Sequence, residues 1–204
     1  MAPPHPARLL LIRHAAALTA GRLAGRLDVP AELPPAAALA QARLRLASLW
    51  PEPPRLLASP ALRCRQTAQA LLPDTQLDIE PNLQEQHFGA WEGQEITALP
   101  DLGPLSRAQL AAHRPPGGEN FLDVAARAEA ALRNIAAQAP ATPAIIITHA
   151  GIIRAALGLA LEDAAQGLAF DIAPFSATLL TALPGALPGA VWSIGFVNLP
   201  LATP

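Results

Sequence analysis

Leu9-Leu10-Leu11-Ile12-Arg13-His14 decides the fold. Four apolar residues run without a break into an arginine and a histidine. A short continuous apolar run suits a strand buried on both faces, as in a parallel sheet covered by helices. The polar end of such a strand lies at the rim of the sheet, where open α/β sheets bind their ligands. The design recurs once, in Ala144-Ile145-Ile146-Ile147-Thr148-His149, which leads into Ala150-Gly151. Two strands that each deliver a histidine to the same rim predict a site built from both.

Between these runs the chain alternates strand and helix signals. Ala15 to Pro35 is a long connection containing Gly21, Gly25 and Pro30. Loops of that length are often functional, and this one starts directly after His14. Leu39, Ala42, Leu46 and Leu49 recur at helical spacing, and Pro51, Pro53 and Pro54 end that helix. Leu56-Leu57-Ala58 is a short buried strand, and Ser59-Pro60 opens a helix to about Leu72. Leu77 to Glu80 forms a third strand, Gln84 to Gly93 a polar and aromatic loop, and Ser106 to Arg114 a short helix. Pro115-Pro116-Gly117-Gly118 breaks the chain before Asn120, which caps a helix carrying Phe121, Val124, Ala128, Leu132 and Ile135. Pro140 and Pro143 close that helix, and Ile152 to about Leu161 forms the last one. Ser176–Leu183 and Val191–Leu199 read as a strand pair joined by a Pro-Gly loop. The β-α-β-α rhythm predicts an α/β fold, a three-layer α/β/α sandwich with a mainly parallel central sheet. No boundary interrupts residues 1–204, so one domain is expected.

Composition narrows the function classes. Hydrophobic residues make up 51% of the 204, enough for a sizeable core and too many for a disordered chain. No apolar run approaches the roughly 20 residues of a membrane span. Met1 to Arg8 lacks a basic region followed by an apolar core, so no secretory signal is expected. The formal charge of -2 offers nucleic acid no bulk attraction. All 14 basic residues are arginine, and the absence of lysine removes Schiff-base and P-loop-lysine chemistry. The single cysteine, Cys64, cannot form an internal disulfide, which suits a reducing cytoplasm. It reads as buried filler, although Arg63 and Arg65 beside it would favour the thiolate.

One rim would therefore collect Arg13 and His14, then Ser59 with Arg63 just inside the next helix, then His149. Ala150 and Gly151 enter a helix N-terminus, whose free N–H groups and positive dipole end suit an anion. Arginine forks match phosphate oxygens. One neutral histidine can attack phosphorus while a second stabilises the transferring group. This is a phosphoryl-transfer site that needs no metal and no cofactor. His-x-x-x-His pairs and cysteine clusters, the usual zinc spacings, are absent from the sequence.

These residues resemble the histidine phosphatase superfamily, also called the phosphoglycerate-mutase-like family. The resemblance rests on Arg13-His14-Ala15, on Gly25-Arg26-Leu27-Asp28-Val29-Pro30, and on Ser59-Pro60-Ala61-Leu62-Arg63-Cys64-Arg65-Gln66-Thr67. It continues through Leu83-Gln84-Glu85 to Phe88-Gly89-Ala90-Trp91-Glu92-Gly93, then Pro116-Gly117-Gly118-Glu119 and Thr148-His149-Ala150-Gly151. It implies a phosphoglycerate-mutase-like fold, His14 as a nucleophile that becomes phosphohistidine, and a metal-independent phosphomonoesterase. It also implies that Arg13, Arg63 and His149 bind the phosphoryl group, and that Glu85 gives a proton to the leaving oxygen. Arg26, Ala150 and Gly151 join the substrate-binding set. Arg26 and Asp28 are equally readable as an ion pair that shapes the loop. Glu92 is the rival acid to Glu85, and Glu119 is read as support for its loop.

The family prefers glycine at position 15, threonine at 17 and asparagine at 20; here all three are alanine. An alanine at 15 would be strained if the backbone there needed positive φ. The branch resembling alpha-ribazole phosphatases, which act late in cobalamin assembly, also tends to lack the latter two. Alpha-ribazole 5'-phosphate is accordingly the leading named substrate. The alternatives are a mutase-type phosphoryl transferase and a catalytically impaired phosphate-binding protein. The expected partner is a small-molecule phosphate ester, with no nucleic acid and no membrane. The expected location is the cytoplasm, and oligomeric state, a homodimer included, is left open. Specificity is expected from residues 16–35 and 101–118.

Overall fold

The computed structural model describes residues 6–50, 54–138, 143–183 and 191–202. His5, Pro51, Pro53, Pro140 and the Pro-Gly joint before Val191 lie outside the described residues. In chain order the elements are β1 (Ala7–Arg13), β2 (Ala16–Ala17), β3 (Ala31–Glu32), α1 (Ala36–Leu49), β4 (Arg55–Ala58) and α2 (Leu62–Leu71). There follow β5 (Leu77–Ile79), α3 (Arg107–Ala112), α4 (Phe121–Gln138), β6 (Ala144–Thr148), α5 (Ala150–Ala160), β7 (Ser176–Ala182) and β8 (Trp192–Pro200). Short 3-10 turns cover Pro81–Leu83, Gly89–Trp91, Ile96–Ala98 and Ala164–Ala169.

The main sheet has the order β5-β4-β6-β1-β7-β8. The first four strands are mutually parallel, and β7 and β8 extend the sheet antiparallel. Pleating sends alternate side chains of β1 to opposite layers. Leu9 and Leu11 pack with Val124, Leu132 and Ile152 of α4 and α5. Leu10 and Ile12 pack with Ala42, Leu46, Cys64 and Leu71 of α1 and α2. Ile146 and the pair Ile145 and Ile147 divide in the same way. Helices on both faces explain why these strands read as unbroken apolar runs, and the arrangement is the three-layer sandwich expected from them.

Register is what places the chemistry. Arg13 pairs with Thr148 across β1 and β6, so the next residue of each strand is a histidine. Ala58 pairs with Ile147 across β4 and β6, so Ser59 arrives at the same rim. The amide of His14 continues the ladder by donating to the Thr148 carbonyl at 2.9 Å.

Several boundaries differ from the sequence expectations. α2 begins at Leu62, because Asp28 Oδ1 reaches across from the loop to accept the Leu62 amide at 2.6 Å. α5 begins at Ala150, directly after His149. The long connection after His14 holds a two-stranded ribbon, with Ala16 opposite Glu32 and Ala17 opposite Ala31. Asn120 does cap α4, in a reciprocal pair of bonds with Asp123 at 2.9 and 3.1 Å.

Ala15 is absent from the positive-φ positions, so the alanine there is unstrained. Ala20 is the strained one, with φ of 50°. A left-handed L-residue costs roughly 1–2 kcal/mol, and glycine gives back roughly 0.5–1 kcal/mol in unfolded-state entropy. Ala20→Gly is therefore expected to stabilise the protein by about 0.5–1 kcal/mol. A urea melt checks this through a raised midpoint at unchanged slope, and Ala20→Val should lower the midpoint.

Candidate active site

Arg63 sits at the centre of the rim, 2% exposed, on the first turn of α2. Its Nε donates to His14 Nε2 at 3.3 Å. Nη1 donates to the Leu27 carbonyl at 2.9 Å, and Nη2 to the Gly25 carbonyl at 2.7 Å. Nη2 also lies 3.2 Å from His149 Nδ1. One guanidinium thus holds both histidines and the loop that follows the first of them. The two imidazole rings meet edge to face, with centroids 5.1 Å apart.

These partners fix both tautomers. His14 Nδ1 is 2.6 Å from the Ala15 carbonyl, which can only accept, so Nδ1 carries the proton. The Nε2 lone pair of His14 is then left facing Arg63. His149 Nδ1 accepts from Arg63, so its Nε2–H donates to Ser59 Oγ at 2.7 Å. The Ala15 amide donates to Thr67 Oγ1 at 3.0 Å, and that hydroxyl donates to the Arg63 carbonyl at 2.7 Å. Arg13 donates through Nη1 to the Ile172 carbonyl, while its buried Nε has no partner among the described residues. An unsatisfied buried donor costs about 1–3 kcal/mol, which an anionic oxygen at this position would recover.

The sequence matches the model of the histidine phosphatase superfamily (branch 1) over residues 9–190. The chain belongs to that superfamily. Glucosyl-3-phosphoglycerate phosphatase of Mycobacterium tuberculosis (strain CDC 1551 / Oshkosh) is 32% identical over 171 residues, covering 76% of this chain and 74% of the relative. The native structure of a mycobacterial glucosyl-3-phosphoglycerate phosphatase superposes with a TM-score of 0.79 at 24% identity, covering 96% of this chain and all of the other. A putative alpha-ribazole-5'-P phosphatase from Escherichia coli K-12 superposes with a TM-score of 0.72 at 20% identity, covering 95% of this chain and 98% of the other.

In this histidine phosphatase Glu85 lies over the start of α5. Its Oε2 accepts the Gly151 amide at 3.3 Å, and its Oε1 accepts the Gln86 amide at 3.0 Å. A Cβ at position 151 would collide with Glu85 Oε1, so glycine there makes room for the carboxylate. The Gly151 N–H, expected to face phosphate, is thus taken up by Glu85. The rival acid Glu92 is committed elsewhere: its Oε1 accepts the amides of Arg26 at 2.9 Å and Phe88 at 3.0 Å.

Arg26 does not pair with Asp28. It pairs with Glu119 at 2.8 Å and donates to the Glu85 carbonyl at 3.3 Å, while Asp28 caps α2. Tertiary contact overrides sequence proximity here. Glu119 is shared with Arg127, at 3.1 Å, and accepts the His87 amide at 3.0 Å. Arg127 also donates to the carbonyls of Asn82 and Glu85. Burial alone would raise the Glu119 carboxyl, but bonds from Arg127 and the His87 amide, with the Arg26 charge, hold it below the usual range. Sequence reasoning missed Arg127 and the Ser59 contact. The only signal for Arg127 was its place beside the apolar stripe of α4, one turn after Val124. Trp91 stacks on His113 with centroids 5.4 Å apart, which accounts for it as packing.

Burial lowers the pKa of His14 to about 3, with the Ala15 carbonyl opposing and the Arg63 and Arg13 cations assisting. Burial and Arg63 also press His149 well below its ordinary value. Burial pushes the Cys64 thiol up to about 12 despite Arg63, in keeping with its reading as buried filler. Among the described residues no group of three or more His, Cys, Asp or Glu is placed to hold a metal ion. No helix among them is long and apolar enough to cross a membrane.

The low histidine pKa values make stability depend on pH. Between the unfolded value of about 6.5 and the folded value of about 3, the unfolded chain binds the His14 proton and the folded chain does not. Stability is therefore full above pH ~6.5 and falls with acidification, by at most about 1.4 kcal/mol per pH unit for each such histidine. Urea unfolding at pH 7, 6 and 5 should show this loss, and His14→Asn should make it shallower.

Proposed function

We propose that this protein hydrolyses a small-molecule phosphate monoester in two steps through phosphohistidine on His14. The observation that carries this reading is the forced tautomer of His14: Nδ1–H is bound to the Ala15 carbonyl and the Nε2 lone pair is free of a proton. In the first step that lone pair attacks phosphorus as the ester P–O bond breaks. Glu85 gives its proton to the leaving oxygen, because an alkoxide leaves poorly. In the second step Glu85 takes a proton from water, whose oxygen attacks phosphorus as the P–N bond breaks. Phosphate departs and His14 Nε2 regains its lone pair.

Arg13, Arg63 and His149 are assigned to the phosphoryl oxygens. The two arginine charges stabilise the negative charge of the transition state, the role a metal ion fills elsewhere, and the neutral His149 contributes its Nε2–H by exchanging Ser59 Oγ for a phosphoryl oxygen. Arg26 is assigned to the mouth, where it steadies the Glu85 backbone. The Ala15 departure from the family pattern leaves the site intact, since its unstrained backbone keeps the Thr67 and His14 bonds. The curated relative acts on glucosyl-3-phosphoglycerate and one structural neighbour carries a putative alpha-ribazole-5'-P name, so both esters belong in the first substrate panel. The single buried thiol suits a cytoplasmic location.

His14→Ala is expected to lower turnover of an aryl phosphate by about 1,000-fold or more, with EDTA leaving the unmodified protein's rate unchanged. Isomerisation of 3-phosphoglycerate without release of phosphate would favour a mutase. Binding without turnover across the panel would favour a phosphate-binding protein.

A further inference from the structure

Most arginines around the mouth already have a carboxylate partner. Arg26 and Arg127 share Glu119, Arg114 pairs with Asp123 at 2.7 Å, and Arg65 lies 3.9 Å from Asp28. Arg13, Arg63 and Arg154 have no carboxylate within ion-pair distance among the described residues. The first two are assigned to the phosphoryl group. Arg154 is a third, surplus cation.

Its position ties it to the same site. Arg154 lies three residues after Gly151 on α5, hence on the face that meets Glu85, about 4.5 Å further along the axis. Its Nε donates to the Phe170 carbonyl at 2.8 Å, and Arg13 donates to the Ile172 carbonyl two residues on. Both arginines are therefore held by one short segment. Burial lowers the Arg13 pKa; the Glu85 and Asp171 charges oppose this, and the Arg154 charge adds to it. The turn at Ala164–Ala169 reaches α5 through glycine: a Cβ on Gly167 would collide with the Arg154 carbonyl. That close approach sets Phe170 against the Arg154 guanidinium. The two terminal nitrogens of Arg154 have no partner among the described residues. Asp171 is exposed to solvent and within ion-pair distance of neither arginine.

We propose that Arg154 is a specificity-determining residue that binds a carboxylate carried by the phosphate ester a few bonds from the reacting phosphorus. This rests on the phosphatase reading above and names its substrate class. A planar fork with two free nitrogens matches one carboxylate in bidentate fashion. The sequence expectation placed specificity in residues 16–35 and 101–118; this assignment moves a main determinant to α5.

The test compares 3-phosphoglycerate with glycerol 3-phosphate, which exchanges the carboxylate for a hydroxymethyl group. The unmodified protein should favour 3-phosphoglycerate in kcat/KM by about tenfold or more. Arg154→Gln should lower kcat/KM for 3-phosphoglycerate by about 10- to 100-fold and leave glycerol 3-phosphate within about twofold, with Arg154→Lys partly restoring the difference. Equal losses on both esters would make Arg154 a structural tie to Phe170 and overturn the proposal; so would no loss on either. Calorimetric binding of the two compounds to His14→Ala, with and without Arg154→Gln, reads the same contrast without turnover. A carboxylate preference in binding with no turnover by the unmodified protein would sustain this assignment while rejecting hydrolysis.

Discussion

A buried guanidinium with only neutral acceptors around it holds this site together. Arg63 spends its donors on two loop carbonyls and two imidazole lone pairs, and no carboxylate among the described residues balances its charge. Burying an unpaired cation is costly, and the folded chain meets part of that cost through bonds from Arg63 to the Gly25 and Leu27 carbonyls. The same cation keeps both histidines neutral. An imidazolium beside Arg63 would add repulsion to the desolvation that already opposes it. A site kept cationic by arginine and nucleophilic by neutral histidine is suited to a dianionic phosphate ester. It binds charge through guanidinium groups, and it reacts through a histidine that stays unprotonated well into acid.

The rest of the mouth is arranged around keeping Glu85 near that centre. The Gly151 amide holds its carboxylate, and Arg26 and Arg127 hold its backbone carbonyl. Glu119 joins those two arginines, so the loop after His14, the segment around Glu85 and the start of α4 form one ionic cluster. Glycines allow the strands of that cluster to touch. A Cβ on Gly89 would collide with the Pro116 carbonyl, and one on Gly118 would lie 2.5 Å from the His87 carbonyl. The Pro-Gly-Gly-Glu stretch is thus less a break in the chain than a docking point for the acid-bearing loop.

Much of this was legible before any coordinates, and the reason differs by element. The runs ending at His14 and His149 carry their own signal, because only strands covered on both faces tolerate such uninterrupted apolarity. Parallel pairing in register then brings the two histidines together without further information. The ribbon at Ala16–Ala17 and Ala31–Glu32 was not legible, since two-residue strands have no periodicity to read. Ser59 was placed at the rim without its bond to His149, and Arg127 and Arg154 are single polar residues whose meaning depends on partners far along the chain, so spacing alone could not rank them. The Arg26–Asp28 ion pair, one of the two readings open for these residues, does not form for the same reason: each residue has a better partner from elsewhere, Glu119 for one and the start of α2 for the other. Ala15 and Ala20 exchanged roles, because backbone strain depends on local φ and not on which residue a family prefers.

The central claim is that His14 Nε2 becomes covalently phosphorylated, and trapping that species tests it most directly. The protein would be mixed with an aryl phosphate, quenched rapidly in alkali, and analysed by intact and peptide mass spectrometry. The account predicts one phosphoryl group on the peptide containing His14, stable in alkali, lost in acid, and absent from His14→Ala. A phosphoryl group on another residue, or turnover with no trappable adduct in either protein, would contradict it.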